Sequence, residues 1–137
     1  MDDIDFSTIS ALAVEDDPGG VALISSLLRR MGIKAYVDSS GLNTLEVVRE
    51  MNPAPDIIFL DLNLPRKTGF DILRELRADE KFKDARVIAM TALDSHTALR
   101  KCKEAGFNGY IPKPLGRQRL ADQIQRILRG EPVWDTE

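Results

Sequence analysis

Ile57-Ile58-Phe59-Leu60-Asp61-Leu62-Asn63-Leu64-Pro65 sets a carboxylate directly behind four consecutive apolar residues. A short, wholly apolar run of this kind predicts a strand buried on both faces, which is how strands of parallel sheets read. The pattern recurs along the chain. Ala11-Leu12-Ala13-Val14 runs into Glu15 and Asp16, Val87-Ile88-Ala89-Met90 into Thr91, and Gly109-Tyr110-Ile111 into Pro112 and Lys113. In an open parallel sheet the C-terminal strand ends share one edge, so these side chains are expected to converge there. Carboxylates, a hydroxyl and an ammonium in one crevice suit a divalent cation and a phosphoryl group.

Between the apolar runs lie amphipathic stretches. Pro18 can open a helix, Val21, Ile24, Leu27, Leu28 and Met31 recur at helical spacing, and Gly32 ends the run. Ala35-Tyr36-Val37 reads as a short second strand. Leu42, Leu45 and Val48 mark a second helix stopped by Asn52-Pro53, and Phe70, Leu73 and Leu76 a third after Gly69. A fourth helix is expected over about residues 95–105, ended by Gly106, and a fifth is marked by Leu120, Ile124, Ile127 and Leu128. Apolar strands alternating with helices predict an α/β fold of three layers, helix on sheet on helix, with a doubly wound parallel sheet. The simplest topology for five βα units is the flavodoxin-like strand order 2-1-3-4-5. One domain over residues 10–130 is expected, with an N-terminal extension over 1–9. Residues 131–137 lack periodicity and read as a tail in which Trp134 is solvent-exposed or loosely docked.

A chain of 137 residues, 43% hydrophobic and 30% charged, is long enough for one ordinary core. A net charge of −3 gives no electrostatic reason to bind nucleic acid, and no direct DNA binding is expected. Met1-Asp2-Asp3 opens acidic, unlike a secretory leader. No apolar run approaches the roughly 20 residues of a membrane span, so a cytoplasmic protein without membrane association is expected. Cys102 has no second cysteine for an internal disulfide or thiolate cluster and is expected on a buried or half-buried helix position.

Three carboxylates leaving one strand as Glu15-Asp16-Asp17 would repel one another unless a cation intervened. Mg²⁺ wants hard oxygens and keeps several waters. Glu15, Asp16 and Asp61 can supply carboxylate oxygens and Asn63 a backbone carbonyl, with Mn²⁺ an alternative ion. Asp17 is placed outside the direct ligands. Asp61 can attack phosphorus to form an acyl phosphate. Lys113 offers a charged donor and Thr91 a hydroxyl to phosphoryl oxygens. Pro112 and Pro114 hold Lys113 in a stiff loop, where a cis Lys113–Pro114 bond is expected.

Val14-Glu15-Asp16-Asp17-Pro18, Phe59-Leu60-Asp61-Leu62-Asn63-Leu64-Pro65 with Gly69, Met90-Thr91-Ala92, and Gly109-Tyr110-Ile111-Pro112-Lys113-Pro114 together resemble the CheY-like receiver domain of response regulators in two-component signalling. The likeness spans about residues 10–129, with each motif in order. It implies a phosphorelay protein, not a turnover enzyme, in which Asp61 takes a phosphoryl group from a phosphohistidine on a sensor histidine kinase or a phosphotransfer protein. It implies Mg²⁺ on Glu15 and Asp16, a phosphoryl-sensing Thr91 followed by Ala92, and a switch in which Thr91 moves and Tyr110 turns inward. The face made by the fourth helix, fifth strand and fifth helix would then repack to signal to a downstream target protein, with Arg119 and Arg126 as rim charges. Asn63 and Leu93, two residues beyond Asp61 and Thr91, resemble positions where such proteins place groups that position hydrolytic water, and the Leu93 side chain cannot orient water, so slow autodephosphorylation is expected. His96, near a helix start that Asp94-Ser95 can cap, is read as a surface residue.

The residues past the last helix show neither a helix-turn-helix nor a catalytic domain, so a stand-alone receiver is expected, monomeric or dimerising on phosphorylation. Three other readings share features with this one. A flavin electron carrier would share the fold, yet Glu15-Asp16-Asp17 would repel its phosphate. A phosphatase using a strand-end aspartate would resemble an Asp-x-Asp pattern, and Asp61-Leu62-Asn63 lacks the second acid. A receiver used only for docking would not need all five site residues.

Overall fold

The computed structural model describes residues 3–92 and 96–135. Strands and helices alternate: β1 (Ser10–Val14), α1 (Pro18–Arg30), β2 (Lys34–Asp38), α2 (Thr44–Glu50), β3 (Ile57–Asp61), α3 (Gly69–Arg77), β4 (Arg86–Thr91), α4 (His96–Ala105), β5 (Gly109–Pro112), α5 (Arg117–Leu128) and β6 (Val133–Trp134). All strands pair in parallel, in the order β2-β1-β3-β4-β5-β6. The expected flavodoxin-like order is therefore present and is lengthened by a sixth strand.

Strand alternation sorts the apolar runs into two cores. Leu12, Val14, Ile58, Leu60, Val87 and Ala89 face α2, α3 and α4, where Val48, Ile72, Leu73, Leu76 and Cys102 meet them. Ala11, Ala13, Ile57, Phe59, Ile88 and Met90 point the other way, onto Ile24, Leu27 and Leu28 of α1 and Leu120, Ile124 and Ile127 of α5. Burial on both faces is why β1, β3 and β4 are continuous apolar runs. Edge strand β2 is half-exposed and carries polar residues.

Local signals set the helix ends. Pro18 stands in the first turn of α1, and the Asp17 side chain accepts from the Gly20 amide at 2.8 Å. Thr68 and Asp71 cap α3 reciprocally, side chain to backbone in both directions. The N-terminal extension is tied down: residues Phe6–Thr8 form a 3₁₀ turn, Phe6 and Ile9 pack on the α1/α5 core, and the Ile4 backbone and Gln125 side chain exchange hydrogen bonds of 2.8 and 2.9 Å. Among the described residues no helix is long and apolar enough to cross a membrane.

One expectation is corrected. Within 131–137, Val133 is fully buried and Trp134 half-buried, paired beside Gly109 and Tyr110 as β6. Residues 136–137 lie outside the described part. A two-residue strand is too short to show a period of two, and its signal is the outer edge of β5, whose backbone groups need partners.

Candidate functional site

The register brings the chemistry to one level. Val14 stands beside Leu60, Asp61 beside Met90, and Thr91 beside Pro112, so the residues at or just past these ends meet along one sheet edge. The crevice lies where strand order reverses, with β1 leading to β2 on one side and β3 on the other.

Glu15, Asp16 and Asp61 converge there, with one carboxylate oxygen from each within 4.8 Å of the others. Lys113, just past the end of β5, reaches both inner acids, its Nζ donating to Glu15 Oε1 at 2.6 Å and to Asp61 Oδ2 at 3.0 Å. The remaining Asp61 oxygen, Oδ1, accepts from the Asn63 amide at 2.8 Å. Asp61 and Glu15 are buried, whereas Asp16 is exposed. Glu15 Oε2 is buried with no protein hydrogen-bond partner.

The charges of these groups follow from that geometry. Burial, reinforced by the hydrogen bond with Asp61, lifts the Glu15 carboxyl to about 7 against the opposing pull of Lys113. Burial also pushes Asp61 upward, but hydrogen bonds from Glu15, the Asn63 amide and Lys113 outweigh it and hold Asp61 below the ordinary carboxylate value. For Lys113, desolvation is overcome by its two carboxylate partners, so its ammonium is held more firmly than usual. Without a cation, the inner pair thus favours a proton on Glu15 and an ionised Asp61. With all three acids ionised beside one ammonium the crevice would carry a surplus of two negative charges. A hard divalent cation matches that surplus, and the orphaned Glu15 oxygen and its neighbours fit one.

Gly20 belongs to the site for a reason absent from the motif reading. A Cβ at that position would overlap Glu15 Oε1, so any larger residue there would push the Glu15 carboxylate out of its present place. The signal was present as two glycines, Gly19 and Gly20, in a first helical turn. Asp17 is engaged as the cap of α1, which accounts for its place outside the cluster.

The other candidates surround this core. Thr91 is fully buried at the end of β4, and the Lys113 amide donates to its carbonyl at 2.8 Å. Lys113–Pro114 is cis, as is Asn52–Pro53. Tyr110 is fully buried among residues of the α3/α4 core, so it already occupies an inward position. Ala92 is exposed and, with Gly19, Gly20, Leu23, Pro114 and Leu115, lines a cleft of about 320 Å³ that opens beside Glu15 and Lys113. His96 is exposed and Cys102 fully buried, as expected. Leu93 and the Asp94-Ser95 cap lie outside the described residues.

The response regulator receiver domain family matches residues 11–125. The chain is 31% identical over 121 residues to the polar-differentiation response regulator DivK of Brucella ovis, covering 88% of this chain and 97% of that protein. It is 30% identical over 120 residues to the sensor histidine kinase CheAY of Helicobacter pylori, covering 88% of this chain but only 15% of the kinase. Among solved structures, the receiver domain of the sensor histidine kinase PA1611 of Pseudomonas aeruginosa, which has a magnesium ion coordinated in its active-site cleft, aligns with a TM-score of 0.78 at 29% identity, covering 90% of this chain and 98% of that one. A match over most of the chain, a full-length relative of this identity and a shared fold have one meaning: the chain belongs to the response regulator receiver domain family of two-component signalling.

Proposed function

We propose that Asp61 accepts a phosphoryl group from a phosphohistidine on a sensor histidine kinase or a phosphotransfer protein. The observation that carries this reading is the placement of Asp61 itself. It is buried beside Glu15, kept ionised by Lys113 and the Asn63 amide, with a carboxylate oxygen within 4.8 Å of one from the exposed Asp16. An Asp61 carboxylate oxygen forms the new bond to phosphorus, the phosphorus–nitrogen bond to the donor imidazole breaks, and the imidazole leaves with that bonding pair. Lys113 then turns from the carboxylates to a phosphoryl oxygen, and Thr91 donates to another.

Glu15, Asp16, Asp61 and the Asn63 carbonyl are the residues that would hold Mg²⁺, or Mn²⁺ in its place. Such an ion would neutralise charge on the phosphoryl oxygens. The mostly apolar cleft beside Lys113, with Leu23 on its rim, suits the approach of a donor protein. Phosphorylation is proposed to favour the inward Tyr110 and to repack α4, β5 and α5 for a downstream target, a two-state element biased by a local charge. Slow autodephosphorylation is proposed because Leu93 offers no hydrogen bond to hydrolytic water.

Intact mass after incubation with acetyl phosphate and Mg²⁺ tests the assignment. One phosphoryl group is expected on the parent, none without the metal and none on Asp61→Asn. An adduct on Asp61→Asn would overturn it. Following the adduct in the same samples should show decay over minutes or longer, and loss within seconds would sink the slow-hydrolysis reading.

A further inference from the structure

The loop from β3 to α3, residues 62–68, carries the Asn63 carbonyl and is sparsely held. Its first residues are fixed, the Leu62 amide on Met90 O at 3.0 Å and the Asn63 amide on Asp61 Oδ1 at 2.8 Å. Its last is fixed by the cap of α3, where the Thr68 amide donates to Asp71 Oδ2 at 3.1 Å. Between them, among the described residues, the backbone of residues 64–67 makes no hydrogen bond. Leu64 is buried against the turn from β2 to α2, where a Cβ at Gly41 would stand 2.9 Å from Leu64 Cδ1. The polar fastening of this stretch falls to one side chain, Lys67.

Lys67 Nζ donates to Leu42 O at 2.9 Å and to the two Glu75 oxygens at 2.7 and 3.2 Å. Leu42 is a fixed point because Asp38, at the end of β2, organises its turn. Asp38 Oδ1 accepts from the Ser40 and Gly41 amides at 3.1 and 3.3 Å, and Oδ2 from Thr44 Oγ1 at 2.8 Å. The Asp38 carbonyl accepts from the Glu15 amide at 3.2 Å, so the same turn is tied to the backbone of a crevice acid. Glu75 stands on α3. Lys67 thus joins α3 to the β2–α2 turn across the loop that bears Asn63. As an ion pair it contributes little to stability, because the two side chains are 32% and 39% exposed. What it supplies is the shape of the loop.

A small, hard cation demands ligands held close to ideal geometry, and residues that orient its direct ligands weigh heavily in its affinity. We propose that Lys67 is a positioning residue for the divalent cation. By joining Leu42 O to Glu75 it holds residues 62–68 so that the Asn63 carbonyl stays available beside Glu15, Asp16 and Asp61. The inference rests on the reading of those residues as the cation's ligands. Charge alone argues the opposite sign, since removing a positive side chain strengthens the attraction of the remaining acids for a cation. Loss of a fastening weakens binding instead.

The test is a Mg²⁺ titration of the full chain without phosphoryl donor, read from the amide NMR shifts of Glu15, Asp16 and Asn63. Urea unfolding of the same metal-free proteins reports stability. Lys67→Met keeps the apolar stem and removes the ammonium, and its dissociation constant for Mg²⁺ is expected to rise about tenfold. Its unfolding midpoint should stay close to that of the parent, a split that a merely stabilising residue would not produce. Adding Glu75→Gln to Lys67→Met should cost little further affinity, because the two side chains act as one unit. Unchanged or tighter Mg²⁺ binding by Lys67→Met would overturn the proposal, and so would losses that simply add in the double variant. A parent that binds no Mg²⁺, or an Asp61→Asn variant that binds it as tightly as the parent, would overturn the ligand reading itself and this proposal with it.

Discussion

Glu15 is the residue in which burial, charge and cation fit meet. Its folded-state value of about 7 stands above the ordinary 4.5, so the folded state holds a proton that the unfolded chain releases. Stability from this group is fully present below about 4.5 and is lost as pH rises through about 7. Asp61 works in the opposite sense, its stability lost only as pH falls through its lowered value, which leaves the upper window to Glu15. The metal-free protein is expected to melt at lower temperature as pH rises across that window, and Glu15→Gln should flatten the slope. Added Mg²⁺ should raise the melting temperature more at about pH 8 than at about pH 6, because a ligand must lose its proton to bind. Differential scanning fluorimetry across pH measures both, and an unchanged slope in Glu15→Gln would count against the buried proton. The sequence made Glu15, Asp16, Asp61 and Lys113 legible as a set because each follows an apolar strand. It did not show that Glu15 is buried while Asp16 is exposed, which depends on how closely α1 begins at Gly20.

At the scale of elements, Arg77 at the end of α3 ties together pieces that share no helix or strand. Its guanidinium donates to Lys83 O at 3.1 Å, Ala85 O at 2.7 Å, Gly106 O at 2.9 Å and Asn108 Oδ1 at 2.8 Å. The same Asn108 oxygen accepts from the Val87 amide, so the tie reaches the start of β4. Arg77→Ala should cost on the order of 1–3 kcal/mol in urea unfolding, as hydrogen bonds to a charged group do. Arg77→Lys should recover little, since a single ammonium cannot span this fork. A loss below about 0.5 kcal/mol, the scatter of surface substitutions, would show the ties to be incidental. The strands β1, β3 and β4 and helices α1, α3 and α5 were readable because burial imposes a period or a continuous apolar run on them. Arg77 carries no such mark, because its partners are backbone carbonyls set by the fold. Strand β6 was missed for a related reason: Val133-Trp134 gains its conformation from the β5 edge and not from its own pattern.

For the whole molecule, the single tryptophan lies on the shortest of the described strands. Segments with few buried contacts open at lower free energy than the core. Tryptophan emission should therefore begin to change at lower urea than far-ultraviolet circular dichroism does, while the latter shows one cooperative transition. Coincident curves would mean that β6 is as firmly held as the sheet itself. Strand β6 also governs how copies of this protein behave in company. A parallel sheet that stopped at β5 would present a row of free amides and carbonyls to any neighbour. The segment covering it brings Pro132, which has no amide to offer, and Asp135, which repels its like. Removing these few residues, which lie away from the Asp61 crevice, is therefore expected to make a concentrated solution of this protein more prone to precipitate.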